Sequence, residues 1–308
     1  MLPTESIGLK APYLIAEIGF NHEGSLETAS KMIEAAARSG ADAVKFQTYQ
    51  AEDIALPNSE HFEAIGHGVL TESDHMELVA CSRDMDVDFL STPFSLEAVD
   101  QLDSMVKAFK IASMDCCNLD LLEKVASKGK PIFLSTGMAS LADIKSSVNF
   151  LVSKGCKTLT IMHCMSLYPA PREEANLSFI KELQHSFEWP VGYSDHVIGA
   201  DACIAAFLLG AEVIETHFTL DDGLEGADHY HSLTPATLKD LIETLGHYSE
   251  MIGDSQIKDR CDAKFKCDYR RGLYFSKELN IGHVLQREDL YFFFFLHDPS
   301  LSSMKDVI

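Results

Sequence analysis

The sequence predicts a (β/α)8 barrel followed by a short β-rich segment, and three observations carry that prediction. Eight short apolar runs each lead into a stretch with helical spacing of its apolar residues, so strand and helix alternate eight times over about 250 residues. No Gly-x-Gly-x-x-Gly turn follows the first run, which removes the main signal for an open doubly wound sheet with the same alternation. Almost every run also ends in a polar residue that a packed core avoids, as expected where strand ends build a site.

The first run, 13–18, precedes a helix over 25–39, in which Ala29, Met32, Ile33, Ala36 and Ala37 form one stripe and Gly40 marks the stop. The second run, 43–48, is separated from a helix over 72–85 by a long polar segment, 49–70. Further strands are expected over 88–92, 108–112, 131–135 and 158–163, with helices over 96–104, 119–127, 141–152 and 175–184. The last two strands lead through 189–192 and 211–214 into Ser194-Asp195-His196 and Glu215-Thr216-His217, and helices follow over 199–209 and 235–251. The barrel is thus placed at 1–257. A charged linker is expected over 258–271, and a small module over 272–308 with strands at 273–276, 281–285 and 290–295. About forty residues bury little core unaided, so this module must dock on its own barrel or on a partner chain.

Composition narrows the function. The chain has 308 residues and a formal net charge of −22, which argues against nucleic acid and against anionic membrane surfaces as partners. An anionic metabolite would be repelled unless basic residues met it locally. No run is long and apolar enough to span a bilayer, and the first residues lack the pattern of a signal peptide. Eight cysteines without framework spacing read as reduced thiols of a cytoplasmic protein.

Taken in order, the strand ends carry Glu17; Lys45 and Gln47; Thr92; Lys110, with Ser113 and Asp115 beyond; Ser135 and Thr136; His163, Ser166 and Tyr168; Ser194 and His196; Glu215 and His217. Lys45 and Lys110 lie inside apolar runs, where lysine is costly without a partner. Each could pair with a carboxylate, act as a Schiff-base nucleophile, or clamp a phosphorylated substrate with the neighbouring hydroxyls. The hydroxyls of Thr92, Ser113, Ser135 and Ser194 beside two lysines favour the clamp.

A single strand histidine is usually a core residue, and His163 fits that description. His196 and His217 come from consecutive strands, with carboxylates nearby. Two imidazoles completed by water and substrate oxygens suit an open Mn, Co, Fe or Zn site. His61, His67 and His75 carry no assignment. His229 and His231, beside Asp228, read as part of a solvated loop at the pocket end of the barrel.

The same residues resemble the sialic acid synthases, including legionaminate and pseudaminate synthases. The resemblance rests on Ile15-Ala16-Glu17-Ile18-Gly19 with Asn21-His22-Glu23-Gly24, Val44-Lys45-Phe46-Gln47-Thr48, Ser91-Thr92-Pro93-Phe94 and Lys110-Ile111-Ala112-Ser113. It continues through Leu134-Ser135-Thr136-Gly137-Met138, His163 to Pro169, Ser194-Asp195-His196 and Glu215-Thr216-His217-Phe218-Thr219, in colinear order over about residues 12–290.

It implies a barrel enzyme that condenses phosphoenolpyruvate with an N-acyl-amino-sugar aldehyde, such as N-acetylmannosamine or a diacetamido sugar. Lys45, Lys110, Thr92, Ser113, Ser135 and Ser194 would hold phosphoenolpyruvate. Glu17, Gln47, Tyr168 and Asp228 would contact the sugar, His196 and His217 would hold Mn or Mg, and Asp115 corresponds to a family carboxylate. Glu17, Asp115 and Lys110 are the expected catalytic groups. The resemblance also implies a homodimer and reads 272–308 as part of an antifreeze-like (SAF) domain. Departures occur at Met114, where the family has Gly, at Thr216, where a basic residue is common, and after Arg287, where no further Arg follows.

Overall fold

The computed structural model describes residues 11–226, 228–253 and 271–293. The chain divides into two compact units, Met1–Gly253 and Asp254–Ile308. In the first, eight parallel strands close into a barrel in sequence order: β1 Tyr13–Glu17, β2 Ala43–Thr48, β3 Asp88–Pro93, β4 Phe109–Ile111, β5 Ile132–Ser135, β6 Leu159–Cys164, β7 Val191–Asp195 and β8 Val213–His217. Closure is made by β1 on β8, paired from Tyr13 with Val213 to Glu17 with His217.

The helices are α1 Leu26–Ser39, α2 Ala51–Ile54, α3 Phe62–His67, α4 Glu72–Asp84, α5 Leu96–Leu102, α6 Leu119–Ala126, α7 Leu141–Ser153, α8 Phe179–Ser186, α9 Asp201–Leu208 and α10 Pro235–Ile252. α1 shows how the sequence sets their limits. Ser25 accepts from the Thr28 N–H at the start, and Gly40 takes φ 99° at the end, a conformation that glycine adopts without a Cβ penalty. α2 and α3 occupy the segment read as a continuous polar stretch. The helix expected over 175–184 begins instead at Phe179, because Asn176 sits at φ 43° and interrupts right-handed helix.

Two apolar layers and one polar layer follow from the strand period of two. Outward-facing residues such as Val44, Phe46, Phe89, Ile111, Leu134, Ile161 and Ile214 pack against the helices. Inside the barrel, Ile15, Ala43, Leu90, Ala108, Phe133, Met162 and Val213 form a separate apolar floor. Two residues further along the same strands come Glu17, Lys45, Thr92, Lys110, Ser135, Cys164 and Glu215, and all of them are buried. The polar site is therefore the next layer of the barrel filling above the floor. Gly192 lets this happen on β7: a Cβ there would meet the Met162 sulfur and approach the Val213 carbonyl oxygen to 2.8 Å.

In the second unit, β9 Gly272–Phe275 pairs antiparallel with β10 Leu290–Phe293. The strand expected over 281–285 is absent: Gly282 turns the chain at φ 91°, and residues 283–286 are irregular. The Asp289 carboxylate accepts from the Gln286 N–H at 2.8 Å and from His283 at 2.6 Å, which fixes the turn before β10. Phe294, Phe295 and residues 258–270 of the expected linker lie outside the described residues.

Candidate active site

The polar layer is a chain of buried charges. Gln47 donates to Glu17 Oε1 at 3.3 Å, and Glu17 Oε2 lies 2.7 Å from Lys45 Nζ. Lys45 donates to the Thr92 hydroxyl at 3.2 Å and lies 3.9 Å from Glu215 Oε2. The other Glu215 oxygen accepts from Lys110 at 3.0 Å and from the Ser194 hydroxyl at 2.8 Å. Both lysine side chains are only 4% exposed. Two ammonium groups facing two carboxylates balance in charge, which is what makes their burial tolerable.

The two carboxylates differ. Burial acts to raise the pKa of Glu215, but Lys110 and Lys45 outweigh it and hold the group at about 2. For Glu17 burial prevails over Lys45, with Glu215 repelling as well, so its pKa lies above the ordinary range. One carboxylate is fixed as an anion and the other is displaced toward holding a proton. Burial alone would lower the Lys45 pKa, yet Glu17 and Glu215 together raise it.

The hydroxyls fall into two groups. Thr92 and Ser194 are tied into the charge chain, and Ser135 Oγ is buried with no hydrogen-bond partner among the described residues. Ser113 is engaged elsewhere, accepting from the Gly137 N–H at 3.0 Å and lying 3.0 Å from Cys164 Sγ. Asp115 ends the 3-10 turn Ser113–Asp115 after β4 and accepts from Asn118 at 2.9 Å. Among the described residues it makes no ion pair with either buried lysine.

The histidines gather on the other side of the mouth. His196 Nδ1 lies 2.6 Å from the Met165 carbonyl oxygen. A carbonyl can only accept, so Nδ1 carries the proton and Nε2 keeps its lone pair. The His196 and His217 ring centres are 5.3 Å apart, and Tyr168, about half exposed, lies over them with its ring 4.1 Å from His196. Burial pushes the His196 pKa down to about 4 and that of His217 well below the usual histidine range, so both are neutral and able to ligate.

Asp195 alternates to the opposite face, where it accepts from the Tyr193 hydroxyl, the Val197 N–H and the Cys203 thiol. His163 is a core residue whose Nε2 meets the Ala175 carbonyl oxygen at 2.9 Å.

Two features escaped sequence reasoning. Asp228 stands between two histidines, its carboxylate 3.7 Å from His217 Nδ1 and 3.8 Å from His231 Nε2. Asp228 and His231 are three apart around the 3-10 turn His229–His231, where side chains at that spacing eclipse. The spacing was visible in the sequence, but nothing in it marked the segment as ordered. The second is the fixing of this loop. Phe218 N donates to Glu17 O, Thr219 N to Leu233 O and Leu233 N to His217 O, while Asn21 donates to both Phe218 O and the Ser232 hydroxyl.

Residues 32–257 match the model of the NeuB family. The chain belongs to that family. It is 38% identical to the N,N'-diacetyllegionaminic acid synthase of Campylobacter jejuni, covering 92% of this chain and 90% of that relative. The N-acetylneuraminate-9-phosphate synthase of Mus musculus is 33% identical, over 88% of this chain and 80% of its own. Among solved NeuB-like structures, the N-acetylneuraminic acid (sialic acid) synthetase of Leptospira borgpetersenii, determined with citrate, superposes with a TM-score of 0.79 at 34% identity. That match covers 82% of this chain and 88% of the other. Among the described residues of this NeuB member, no helix is long and apolar enough to cross a membrane.

Proposed function

We propose that this barrel is a sialic acid synthase-type enzyme that condenses phosphoenolpyruvate with an N-acyl-amino-sugar aldehyde, giving a nine-carbon 2-keto acid and phosphate. The single observation that carries the reading is the pair of buried ammonium groups, Lys45 and Lys110, set among Thr92, Ser194 and the Ser135 hydroxyl, which has no partner among the described residues. Their ammonium groups offer charge-assisted donors to an anionic substrate that the strongly acidic chain otherwise repels. The named relatives, which are synthases of this sugar-acid class, support the same conclusion.

In the proposed reaction, C3 of phosphoenolpyruvate attacks the open-chain aldehyde carbon and forms the new carbon–carbon bond. The aldehyde oxygen takes up a proton, and positive charge develops at C2. Water adds at C2 and loses a proton to a carboxylate base, and the resulting hemiketal phosphate expels phosphate to leave the 2-keto group. Glu17 suits the base role better than Asp115. Its carboxylate is buried in the charge chain with a raised pKa, while Asp115 is turned toward Asn118. Lys45 and Lys110 stabilise the phosphate and carboxylate of the donor, and Gln47, Tyr168 and Asp228 line the acceptor side.

The histidines fit a divalent cation, Mn or Mg in the first instance and Co, Fe or Zn as alternatives. His196 holds its proton on Nδ1 and so presents the Nε2 lone pair, and His217 Nδ1 is buried with no hydrogen-bond partner among the described residues. Bound there, a cation would supply Lewis-acid polarisation of the acceptor carbonyl. A Schiff-base aldolase using Lys45 or Lys110 is disfavoured, because each ammonium group is ion-paired, Lys45 with Glu17 at 2.7 Å and Lys110 with Glu215 at 3.0 Å, whereas such chemistry requires the free amine. A cytoplasmic homodimer in which 272–308 acts as part of an antifreeze-like domain completes the proposal.

The test is phosphate release from phosphoenolpyruvate in the presence of Mn and a panel of amino-sugar aldehydes. Release that depends on one acceptor supports the reading; none with any acceptor overturns it.

A further inference from the structure

His196 and His217 are the proposed ligands, yet among the described residues the potential ligand atoms that cluster belong to a different set. His217, Asp228 and His231 each offer a donor atom, and these atoms all lie within 4.8 Å of one another, with all three residues buried. His196 is not part of that set. Two ligands on one ion at roughly 2.1 Å are separated by about 3 Å when cis in an octahedron and about 3.4 Å in a tetrahedron, and by no more than about 4.2 Å. The Asp228 oxygens stand 3.7 Å from His217 Nδ1 and 3.8 Å from His231 Nε2, inside that range and too far for hydrogen bonds.

The polar accounting points the same way. Both ring nitrogens of His231 and Nδ1 of His217 are buried without a hydrogen-bond partner among the described residues, and the His231 side chain is 0% exposed. Two of these nitrogens, His217 Nδ1 and His231 Nε2, flank one carboxylate, a costly arrangement in a folded protein unless something satisfies them. Their ring centres are 4.9 Å apart, and Tyr168 faces both.

We infer that Asp228 and His231 join His217 in holding the cation, so that two imidazoles and one carboxylate form the core of its shell. This rests on the proposal that the barrel binds a metal at all, and it changes which metal is favoured. Imidazole-rich shells favour first-row transition ions, whereas Mg prefers oxygen donors and retains its waters. The site is therefore a transition-metal centre that discriminates against Mg.

Equilibrium titration of the metal-free full chain with Co and, separately, with Mg tests this, using the unaltered protein, His231→Ala and His231→Gln. The expected result is tight Co binding by the unaltered chain, weakened on the order of a hundredfold in both variants, with much weaker Mg binding that changes less than about threefold. Circular dichroism confirms that the variants are folded. Pulsed electron paramagnetic resonance of the Mn-loaded chain gives a second answer: His231→Gln is expected to lose one of the coordinated imidazole nitrogens that the unaltered chain shows. Unchanged Co affinity in folded variants, or an unchanged number of coordinated nitrogens in His231→Gln, overturns the inference and leaves the metal site of His196 and His217 standing. No ion bound by the unaltered chain overturns both.

Discussion

Glu215 on β8 reaches across the mouth of the barrel to Lys110 on β4, and the two are joined by an ion pair of 3.0 Å with both side chains almost fully buried. Strands at opposite points of the ring are thus connected by charge rather than by sheet hydrogen bonds. Removing the carboxylate charge in Glu215→Gln leaves Lys110 without a counter-charge, and the expected loss of stability is about 3–5 kcal/mol. Thermal unfolding measures it. In Glu215→Gln with Lys110→Met the loss should be smaller than the sum of the two single losses, by about 1–3 kcal/mol. Simple additivity would show that the pair is not coupled.

Glu17 and Asp115 separate by the same logic. Glu17→Gln keeps the volume beside Lys45 but removes the proton acceptor, and phosphate release should fall about 10²- to 10⁴-fold. Asp115→Asn should stay within about tenfold of the unaltered rate, because its carboxylate caps a turn through Asn118. The reverse order of effects would move the base to Asp115.

His196→Ala should abolish phosphate release, with no recovery on adding Mn, while circular dichroism stays that of the folded chain. Its ring contributes one free nitrogen and one bond to Met165 O, and alanine replaces neither. Full activity of the unaltered chain in excess chelator would contradict any metal role.

Acid should weaken the fold through its buried neutral histidines. Burial first, and His75 second, push the His22 pKa down to about 4, and its Nδ1 accepts from the Gly24 N–H at 3.0 Å. In the unfolded chain His22 titrates near 6.5. Between these values the unfolded chain binds a proton that the folded chain refuses, so stability falls as pH drops from about 6.5 to about 4. The contribution of this residue is on the order of 3 kcal/mol. Denaturant unfolding across that window should show a shallower decline for His22→Gln; an identical slope would assign the titration to other groups.

Much of the fold was legible because it obeys one period. Ile15 and Glu17, Ala43 and Lys45, Leu90 and Thr92, and Val213 and Glu215 repeat the same two-residue step from floor to site, and any barrel reading places them together. What a strand pattern cannot state is who faces whom across the ring. The bond from Glu215 to Lys110 depends on barrel closure, so in the sequence Glu215 read only as a strand-end carboxylate near the histidines. His231 was hidden for another reason. It lies in a 3-10 turn without apolar periodicity, held by backbone bonds to distant residues that have no local signature. The error at 281–285 is the converse, an apolar run with strand composition but with a left-handed glycine inside it.

The loop carrying Asp228 leaves the barrel at Phe218 and returns to it at Leu233, where the two residues bridge and the Thr219 and Leu233 N–H groups close the gap. Departure and return share one anchorage, so the excursion behaves as a cassette. Residues 222–225 at its exposed tip can change length or chemistry while His217 and Leu233 keep their register. A scaffold of this kind lets the loop be rewritten without disturbing the buried charges, because Lys45, Lys110 and Glu215 belong to the barrel filling and not to the loop.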